Sequence, residues 1–226
     1  FNIVDFTPVG DLYLVDAAGA VECAQSTAGV TRCRPSRVSQ AECDALLALY
    51  DAANGPNWTT NTGWATNTDP CTWYGITCNL TSIRYLQLAF NQLSGSIPTS
   101  LSKLTNLEVL NLMGNQLSGS IPISLGNISS LRFLQLCNNQ LSGSIPTSLD
   151  NLTNLNNLFL CDNQLSGSIP TSLGDLTNLN GLALDDNQLS GSIPTSLDNL
   201  TNLNNLFLCD NQLSGSIPTS LGDLTN

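Results

Sequence analysis

The sequence predicts an α/β repeat fold, in which stacked coils form a solenoid behind a short helical cap. Three observations predict it. An element Asn-Gln-Leu-Ser-Gly-Ser-Ile-Pro recurs with a strict period of 24 residues, beginning at Asn91, Asn115, Asn139, Asn163, Asn187 and Asn211. The apolar positions around each copy are kept in all six units. A segment rich in tryptophan and cysteine precedes the first unit.

Residues 1–38 do not follow the repeat. Their apolar residues predict two short β-strands, in Phe1–Phe6 and Leu12–Val15, which turn residues around Pro8 and Gly10 separate. We therefore treat residues 1–38 as a separate strand-forming segment.

Residues 39–80 are predicted to form the N-terminal cap. Ser39 and Glu42 make a capping box, in which each side chain binds the other residue's backbone amide at the start of a helix. Residues at helical spacing then share one apolar face: Cys43, Leu46, Leu47 and Tyr50. The helix should stop at Asn54–Pro56, where Gly55 can adopt a left-handed conformation. An open first coil would expose leucines to water, and three tryptophans are the simplest cover for it: Trp58, Trp64 and Trp73.

Residues 81–226 contain six 24-residue repeats, and one central unit shows what each position does. Leu158 and Leu160 alternate with Phe159, as in a strand that buries one face. Asn163 follows where the chain turns, and a stacked asparagine can bind backbone groups that a bend leaves unpaired. One unit cannot bury its leucines alone, so neighbouring units must stack.

The pattern of these units, LxxLxxLxLxxNxLSGxIPxxL, resembles the plant-type leucine-rich repeat of receptor-kinase ectodomains and polygalacturonase-inhibiting proteins. The segment Cys71–Cys78 is similar to the cysteine-bearing N-terminal cap of that family. The resemblance implies a right-handed solenoid with a parallel β-sheet on its concave face, and a second short strand through Leu-Ser-Gly-x-Ile-Pro. It also implies that the concave face is the binding surface.

The eight cysteines predict disulfides, because the chain has no histidine and no Cys-x-x-Cys pair with which to build a zinc site. We expect Cys71 to pair with Cys78 and to pin the cap onto the first coil. Cys137 should pair with Cys161, which occupies the same position on the next coil, about 5 Å away. Cys209 lies two coils from Cys161, too far for a bridge. One further bridge is expected within a group of three, with the pair left open: Cys23, Cys33 and Cys43.

The net charge of −11 is distributed unevenly along the chain. All six basic residues precede position 133, and the remainder carries eight aspartates and no lysine or arginine. Such a surface repels phosphate groups, so nucleic acid and anionic membranes are not expected as partners. No segment approaches the ~20 apolar residues that span a bilayer, so no membrane insertion is expected. A polar surface of Asn, Ser, Thr and Gln favours an extracellular protein, secreted or at the cell surface.

Five Asn-x-Ser/Thr sequons are predicted N-glycosylation sites and favour the same location: Asn57, Asn79, Asn127, Asn151 and Asn199. Asn127, Asn151 and Asn199 occupy one position of their coils, on the flank away from the main sheet. Glycans there would line one side of the solenoid and leave the concave face open.

The sequence predicts no enzymatic activity. Without histidine there is no catalytic triad and no general base suited to neutral pH, and no phosphate-binding or nucleophile motif occurs. Aspartates in matching columns on adjacent coils raise a carboxylate pair or a calcium site as alternatives: Asp162, Asp185, Asp186 and Asp210. Solvated residues on a sheet face are the simpler interpretation. We therefore predict no catalytic residue, no metal ion and no cofactor.

The outward strand positions of the concave face are the candidate binding surface. Aromatic residues on it could anchor a peptide or a sugar: Tyr85, Phe133, Phe159 and Phe207. Packing between neighbouring coils, or shielding by glycans, would explain them equally well.

Three non-catalytic functions are compatible with these patterns. The first is a glycosylated structural subunit of a surface fibril, favoured because residues 139–178 recur identically as 187–226 and a periodic surface suits a lattice. The second is a recognition module that binds a protein or a polysaccharide on the concave face. The third is ice binding by the convex hydroxyl groups of Ser-Gly-Ser-Ile-Pro-Thr-Ser, for which solubility and O-glycosylation are the plainer explanation.

Head-to-tail self-association is the assembly that the first function requires. The last coil would expose an apolar edge formed by Leu206, Leu208, Leu213 and Ile217. The N-terminal segment of the next subunit offers apolar residues to cover that edge: Phe1, Ile3 and Phe6. Contacts between unlike surfaces generate filaments rather than closed oligomers.

Overall fold

The computed structural model describes residues 32–219 and residue 221, together with the backbone of three short strands nearer the N-terminus. These strands, β1 (Asn2–Asp5), β2 (Leu12–Val15) and β3 (Val21–Cys23), pair in sequence order as an antiparallel sheet. The first two lie where the sequence predicts strands, and the third is an addition.

Helix α1 (Gln40–Ala52) begins at the predicted capping box. The Ser39 hydroxyl accepts a hydrogen bond from the Glu42 amide at 3.2 Å, and the Glu42 carboxylate accepts one from the Ser39 amide at 2.8 Å. The other Glu42 oxygen accepts the Ile83 amide at 3.1 Å. This buried carboxylate therefore ties the helix to the first coil of the solenoid.

The helix has the predicted apolar face, and one detail of its predicted end is wrong. Its buried residues are Glu42, Cys43, Ala45, Leu46 and Leu49. Leu47 and Tyr50 are only partly buried, because they lie at the edge of that face. The left-handed residue that follows the helix is Asn54 (φ 60°), a conformation that asparagine tolerates. Gly55 instead begins a 3-10 turn (Gly55–Asn57) and allows the Tyr50 ring to pack against its backbone.

Three tryptophans cover the first coil. Trp58, Trp64 and Trp73 are 5%, 3% and 2% exposed, and their ring centroids lie 4.9 to 5.0 Å apart in sequence order. Each indole N–H donates to an acceptor within the cap: the Ala53 carbonyl, the Tyr74 carbonyl and the Thr68 hydroxyl. These buried rings present no face on which a sugar could stack.

The strands and short helices of the coils alternate along the described chain. The strands are β4 (Ile76–Cys78), β5 (Ile83–Gln87), β6 (Ser94–Gly95), β7 (Val109–Asn111), β8 (Gln116–Ser120), β9 (Phe133–Gln135), β10 (Gln140–Gly143), β11 (Asn157–Phe159), β12 (Gln164–Ser168), β13 (Gly181–Ala183), β14 (Gln188–Gly191), β15 (Asn205–Phe207) and β16 (Gln212–Leu213). A 3-10 turn, Pro70–Thr72, precedes β4. One 3-10 helix follows in each of five coils: Thr99–Lys103, Ile123–Asn127, Thr147–Asn151, Thr171–Asp175 and Thr195–Asn199.

Two sheets run along the solenoid. β4, β5 and the later odd-numbered strands form the seven-stranded concave sheet, in which β4 pairs antiparallel with β5 and the other pairs are parallel. The even-numbered strands from β6 to β16 form a parallel six-stranded sheet. Each coil contributes one strand to this sheet, and these are the second short strands that the family resemblance implies. Five of the six strands contain a glycine at positive φ, such as Gly167 at 80° in β12.

The core lies between the two sheets and the 3-10 helices. Leucines on successive coils, such as Leu134, Leu158 and Leu182, are fully buried and lie opposite each other in the concave sheet. The asparagines that open the repeated element complete the core as an asparagine ladder. From Asn115 onward each side chain binds backbone groups of its own and neighbouring coils, and the Asn91 side chain binds Thr60 of the cap. Stacking of identical units is thus what buries the leucines.

Three disulfides crosslink the described residues. Their Cα–Cα distances are 6.1 Å for Cys33–Cys43, 5.5 Å for Cys71–Cys78 and 4.6 Å for Cys137–Cys161. The sequence predicts the Cys71–Cys78 and Cys137–Cys161 pairs. The Cys33–Cys43 pair is the bridge that the sequence left open among three cysteines. The side chain of Cys23 lies outside the described residues. No helix in the described part of the chain is long and apolar enough to cross a membrane.

Candidate binding site on the concave face

The concave sheet presents three columns of outward residues, and the residue type changes from coil to coil. The first column contains Tyr85, Val109, Phe133, Asn157, Gly181 and Asn205. The second contains Gln87, Asn111, Gln135, Phe159, Ala183 and Phe207. The third follows the strands and contains Ala89, Met113, Cys137, Cys161, Asp185 and Cys209.

The four predicted aromatic residues do not form one cluster. Phe133 and Phe159 are partly buried and meet edge to face, with ring centroids 5.6 Å apart. This contact is the packing between coils that the sequence left as an alternative. Tyr85 (37% exposed) lies at the opposite end of the sheet from Phe207 (50% exposed).

A recess of about 320 Å³ lies on this face, and two of the predicted aromatic residues line it, Phe159 and Phe207. Two further outward strand positions of the predicted binding surface also line it, Gln135 and Ala183, together with Asp185 from the columns of aspartates. The Cys137–Cys161 disulfide and Met113 complete the lining. Sequence reasoning missed Met113, although its outward position in the third column was the available signal.

Small residues on β13 shape the recess. A Cβ atom at Gly181 would lie 2.7 Å from the Asn157 amide nitrogen and 2.9 Å from a ring carbon of Phe159. The Phe159 ring therefore reaches over Gly181. Ala183 stands between Phe159 and Phe207 in the second column and is 6% exposed. A larger side chain at position 183 would fill the space between the two rings.

Asp185 does not fit the expectation of a fully solvated carboxylate. It is only partly exposed, and its Oδ1 atom is buried without a hydrogen-bond partner. Asp162, Asp186 and Asp210 are exposed, as expected, and take left-handed conformations at φ values of 50°, 50° and 52°. Among the described residues, no three His, Cys, Asp or Glu side chains converge as metal ligands.

Cys209 is a free, exposed thiol at the end of the third column. Partial desolvation of the thiol, followed by the charges of Asp210, Asp185 and Asp186, raises the pKa of Cys209 above its ordinary value. The neutral thiol is therefore favoured.

The predicted glycosylation sites lie away from the recess. Asn127, Asn151 and Asn199 are exposed and are the last residues of their 3-10 helices. Asn57 and Asn79 are exposed in the cap, at the end of a 3-10 turn and just after β4. Their occupancy stays a prediction.

The convex side carries a hydroxyl ladder, which we define as the serines at the second position of the 3-10 helices and their threonine neighbours. Three of the serines donate to the carbonyl one coil earlier: Ser124 to Thr99, Ser148 to Ile123 and Ser196 to Thr171, at 2.9, 2.7 and 2.6 Å. Thr147, Thr171 and Thr195 are exposed. The regular spacing of these groups follows from the coil repeat.

The predicted assembly edge is partly exposed. Leu206, Leu208 and Leu213 are partly buried, and Ile217 is 72% exposed. Ile3 lies in β1, while Phe1 and Phe6 lie outside the described residues.

Comparisons with known proteins place these features in a family. The leucine-rich repeat region family matches residues 74–218, and the leucine-rich repeat N-terminal domain matches residues 39–79. None of the curated proteins compared with the chain matches it.

Solved structures give the same result. The ectodomain of the Arabidopsis thaliana receptor kinase GASSHO1/SCHENGEN3, in complex with CASPARIAN STRIP INTEGRITY FACTOR 2, is 36% identical, with a TM-score of 0.77 over 81% of this chain and 22% of that one. The Arabidopsis receptor kinase HAESA, in complex with the peptide hormone IDA and a co-receptor, is 36% identical, with a TM-score of 0.76 over 83% and 32%. A plant ice-binding protein is 31% identical, with a TM-score of 0.75 over 83% and 61%.

The chain spans about a fifth of the first ectodomain and a third of the second. The repeat match and these structures agree on one architecture, a right-handed solenoid with a parallel sheet on its concave face and a disulfide-bearing cap. The chain therefore belongs to the plant-type leucine-rich-repeat family.

Proposed function

We propose that the chain is an extracellular recognition module that binds an extended peptide or protein segment along its concave face. The observation that carries the proposal is where neighbouring coils differ. The coils 152–175 and 176–199 differ at five positions only. Three of these are the outward concave positions 157/181, 159/183 and 161/185, and the other two, 174/198 and 175/199, end the 3-10 helices.

A specific ligand requires a specific patch, whereas a lattice requires a uniform surface. Three of the five differences lie on the concave face, and two of these, 159/183 and 161/185, line the recess. The recess combines apolar side chains with a few polar groups, as binding sites commonly do. The solved complex of HAESA contains the peptide hormone IDA, and that of GASSHO1/SCHENGEN3 contains CASPARIAN STRIP INTEGRITY FACTOR 2. Similarity to them supports protein ligands over polysaccharide. The absence of catalysis is part of the same proposal.

Selection from a random dodecapeptide display library tests this function. We expect enriched peptides to lose at least tenfold in affinity for Phe207→Ala, because an exposed aromatic residue on a rigid sheet is a typical binding anchor. Thr171→Ala, on the exposed convex side, is the matched control and should bind like the wild type. Equal binding to both variants, or no enrichment, would contradict concave-face recognition.

Ice binding is a second candidate, supported by the hydroxyl ladder and by similarity to a plant ice-binding protein. The sequons at Asn151 and Asn199 close the same 3-10 helices, so glycans there would stand beside the ladder. Inhibition of ice recrystallisation by the deglycosylated protein, lost when Thr147, Thr171 and Thr195 are changed to valine together, would favour this function.

The fibril subunit ranks third. Its support is the identity of residues 139–178 with 187–226, and the side chains proposed to cover the apolar edge lie outside the described residues. Deletion of residues 1–20 should abolish filaments and leave the repeats folded. A wild-type protein that stays monomeric at high concentration in light scattering would end this hypothesis.

A further inference from the structure

The coil that carries β13 differs in chemistry from the coils on both sides. Its three outward residues are Gly181, Ala183 and Asp185. The corresponding residues of the preceding coil are Asn157, Phe159 and Cys161, and those of the next coil are Asn205, Phe207 and Cys209. The coil of β13 therefore presents two small residues and an aspartate, and it lies between two coils that each present a phenylalanine.

This arrangement leaves a slot between two aromatic rings. Phe159 and Phe207 stand two strand spacings apart, about 9.6 Å at the backbone. An aromatic ring is about 3.5 Å thick, so the space above Ala183 suits one narrow side chain. Both rings line the recess, so each presents part of its surface to a ligand there.

A carboxylate stands beside the slot without a cationic partner. Asp185 lines the same recess, and its buried Oδ1 has no hydrogen bond. The chain has no lysine or arginine after Arg132. The ion pairs found in the described residues involve Arg32 and Arg37, which precede the cap, and Arg84 in the first coil. The described residues therefore form no ion pair with Asp185, and its Oδ1 has an acceptor position that a donor of a ligand could fill.

We propose that the slot formed by Phe159, Ala183, Asp185 and Phe207 binds an arginine side chain of an extended peptide ligand. The guanidinium plane is attracted to aromatic faces. It also presents donors in a fork that matches a carboxylate. A neutral side chain of the same shape could stack but would leave the Asp185 oxygen unpaired. This inference rests on the proposed function and adds the chemical class of side chain that the site selects.

Two matched peptides test the slot by calorimetry at low ionic strength, where surface charges are least screened. One is acetyl-Gly-Ser-Leu-Arg-Leu-Ser-Gly-amide, and the other carries citrulline, a neutral isostere, in place of arginine. We expect the arginine peptide to bind at least tenfold more tightly to the wild type. Asp185→Asn should remove this preference. Asp186→Asn, which removes the neighbouring exposed carboxylate, should retain it.

Ala183→Phe tests the shape of the slot, since phenylalanine already occupies this column on both adjacent coils. It should lose the arginine peptide while its circular dichroism spectrum stays that of the wild type. Three results would contradict the proposed arginine slot: equal binding of the two peptides, a preference for arginine that survives Asp185→Asn, or no binding of either peptide. If both bind equally and both are weakened by Phe207→Ala, concave-face recognition stands and only the arginine slot is wrong.

Discussion

The interior of the coils and their concave surface follow opposite rules. Inside, leucine and asparagine recur at the same positions in every unit. The leucines pack against their equivalents on the next coil, and the asparagine side chains bind backbone groups of the neighbouring coil. On the concave surface, aromatic, small, sulfur-containing and acidic residues replace one another from coil to coil. Stacking requires repetition because each coil buries the next. Recognition requires difference, because a ligand must find one register along the array.

The largest expected effect contrasts the core with the concave face at a single side chain. Leu158→Ala should lower the free energy of unfolding by about 3 kcal/mol, because Leu158 is fully buried and its neighbours on both sides cannot close the cavity. Phe207→Ala should lower it by less than about 1 kcal/mol, because half of that side chain is already exposed.

Urea unfolding followed by circular dichroism measures both variants against the wild type. The slope of the transition must be compared as well, since repeat arrays can lose cooperativity when one coil is weakened. Equal losses in the two variants would show that the concave residues are part of the stabilising core, and the contrast between the two regions would be lost.

The asparagine ladder gives an intermediate effect. The Asn163 amide donates to the carbonyls of Leu136, Leu160 and Cys161 at 3.1, 3.2 and 3.0 Å, and its oxygen accepts the Leu141 amide at 2.9 Å. Asn163→Ala removes these four hydrogen bonds and takes away the acceptor of the Leu141 amide, whereas each of the three carbonyls keeps a second donor. It should cost about 2 kcal/mol.

Gln164→Ala, one residue further along and exposed, is the control for the ladder and should change stability by no more than about 0.5 kcal/mol. The same urea titration serves for both. If the control is as destabilising as Asn163→Ala, the loss comes from a change in strand β12 and not from the ladder.

The sequence predicted the uniform region well. The period located the coils, the alternation around Phe159 located the strands of the concave sheet, and the fixed spacing of coils predicted the Cys137–Cys161 pair. The capping box located the start of α1. These features are local or strictly periodic, so a single unit contains the information needed to predict them.

The candidate site was less predictable, because it depends on differences between coils. Aromatic residues drew attention to Phe159 and Phe207, whereas Asp185 stood out only as one member of the columns of aspartates and nothing marked Ala183 as a gap between two rings. A small residue becomes a slot only when its neighbours are large. A carboxylate becomes a binding group only when an oxygen is buried without a partner, which the sequence does not show.

The smallest expected effect concerns the reactivity of Cys209 at the edge of the recess. The thiolate is the nucleophile, and the pKa of Cys209 is raised by partial desolvation and by Asp210, Asp185 and Asp186. A raised pKa means less thiolate at neutral pH, so alkylation by iodoacetamide should be slower than for an unstructured cysteine peptide. Its rate should rise about tenfold per pH unit below the pKa.

Changing Asp185 and Asp210 together to asparagine should lower the pKa of Cys209 and speed the reaction at pH 7. Asp175→Asn, an exposed charge change at the end of a convex 3-10 helix, should leave the rate unchanged. An equal acceleration in that control would mean that net charge governs the thiol and that the carboxylates of the recess do not.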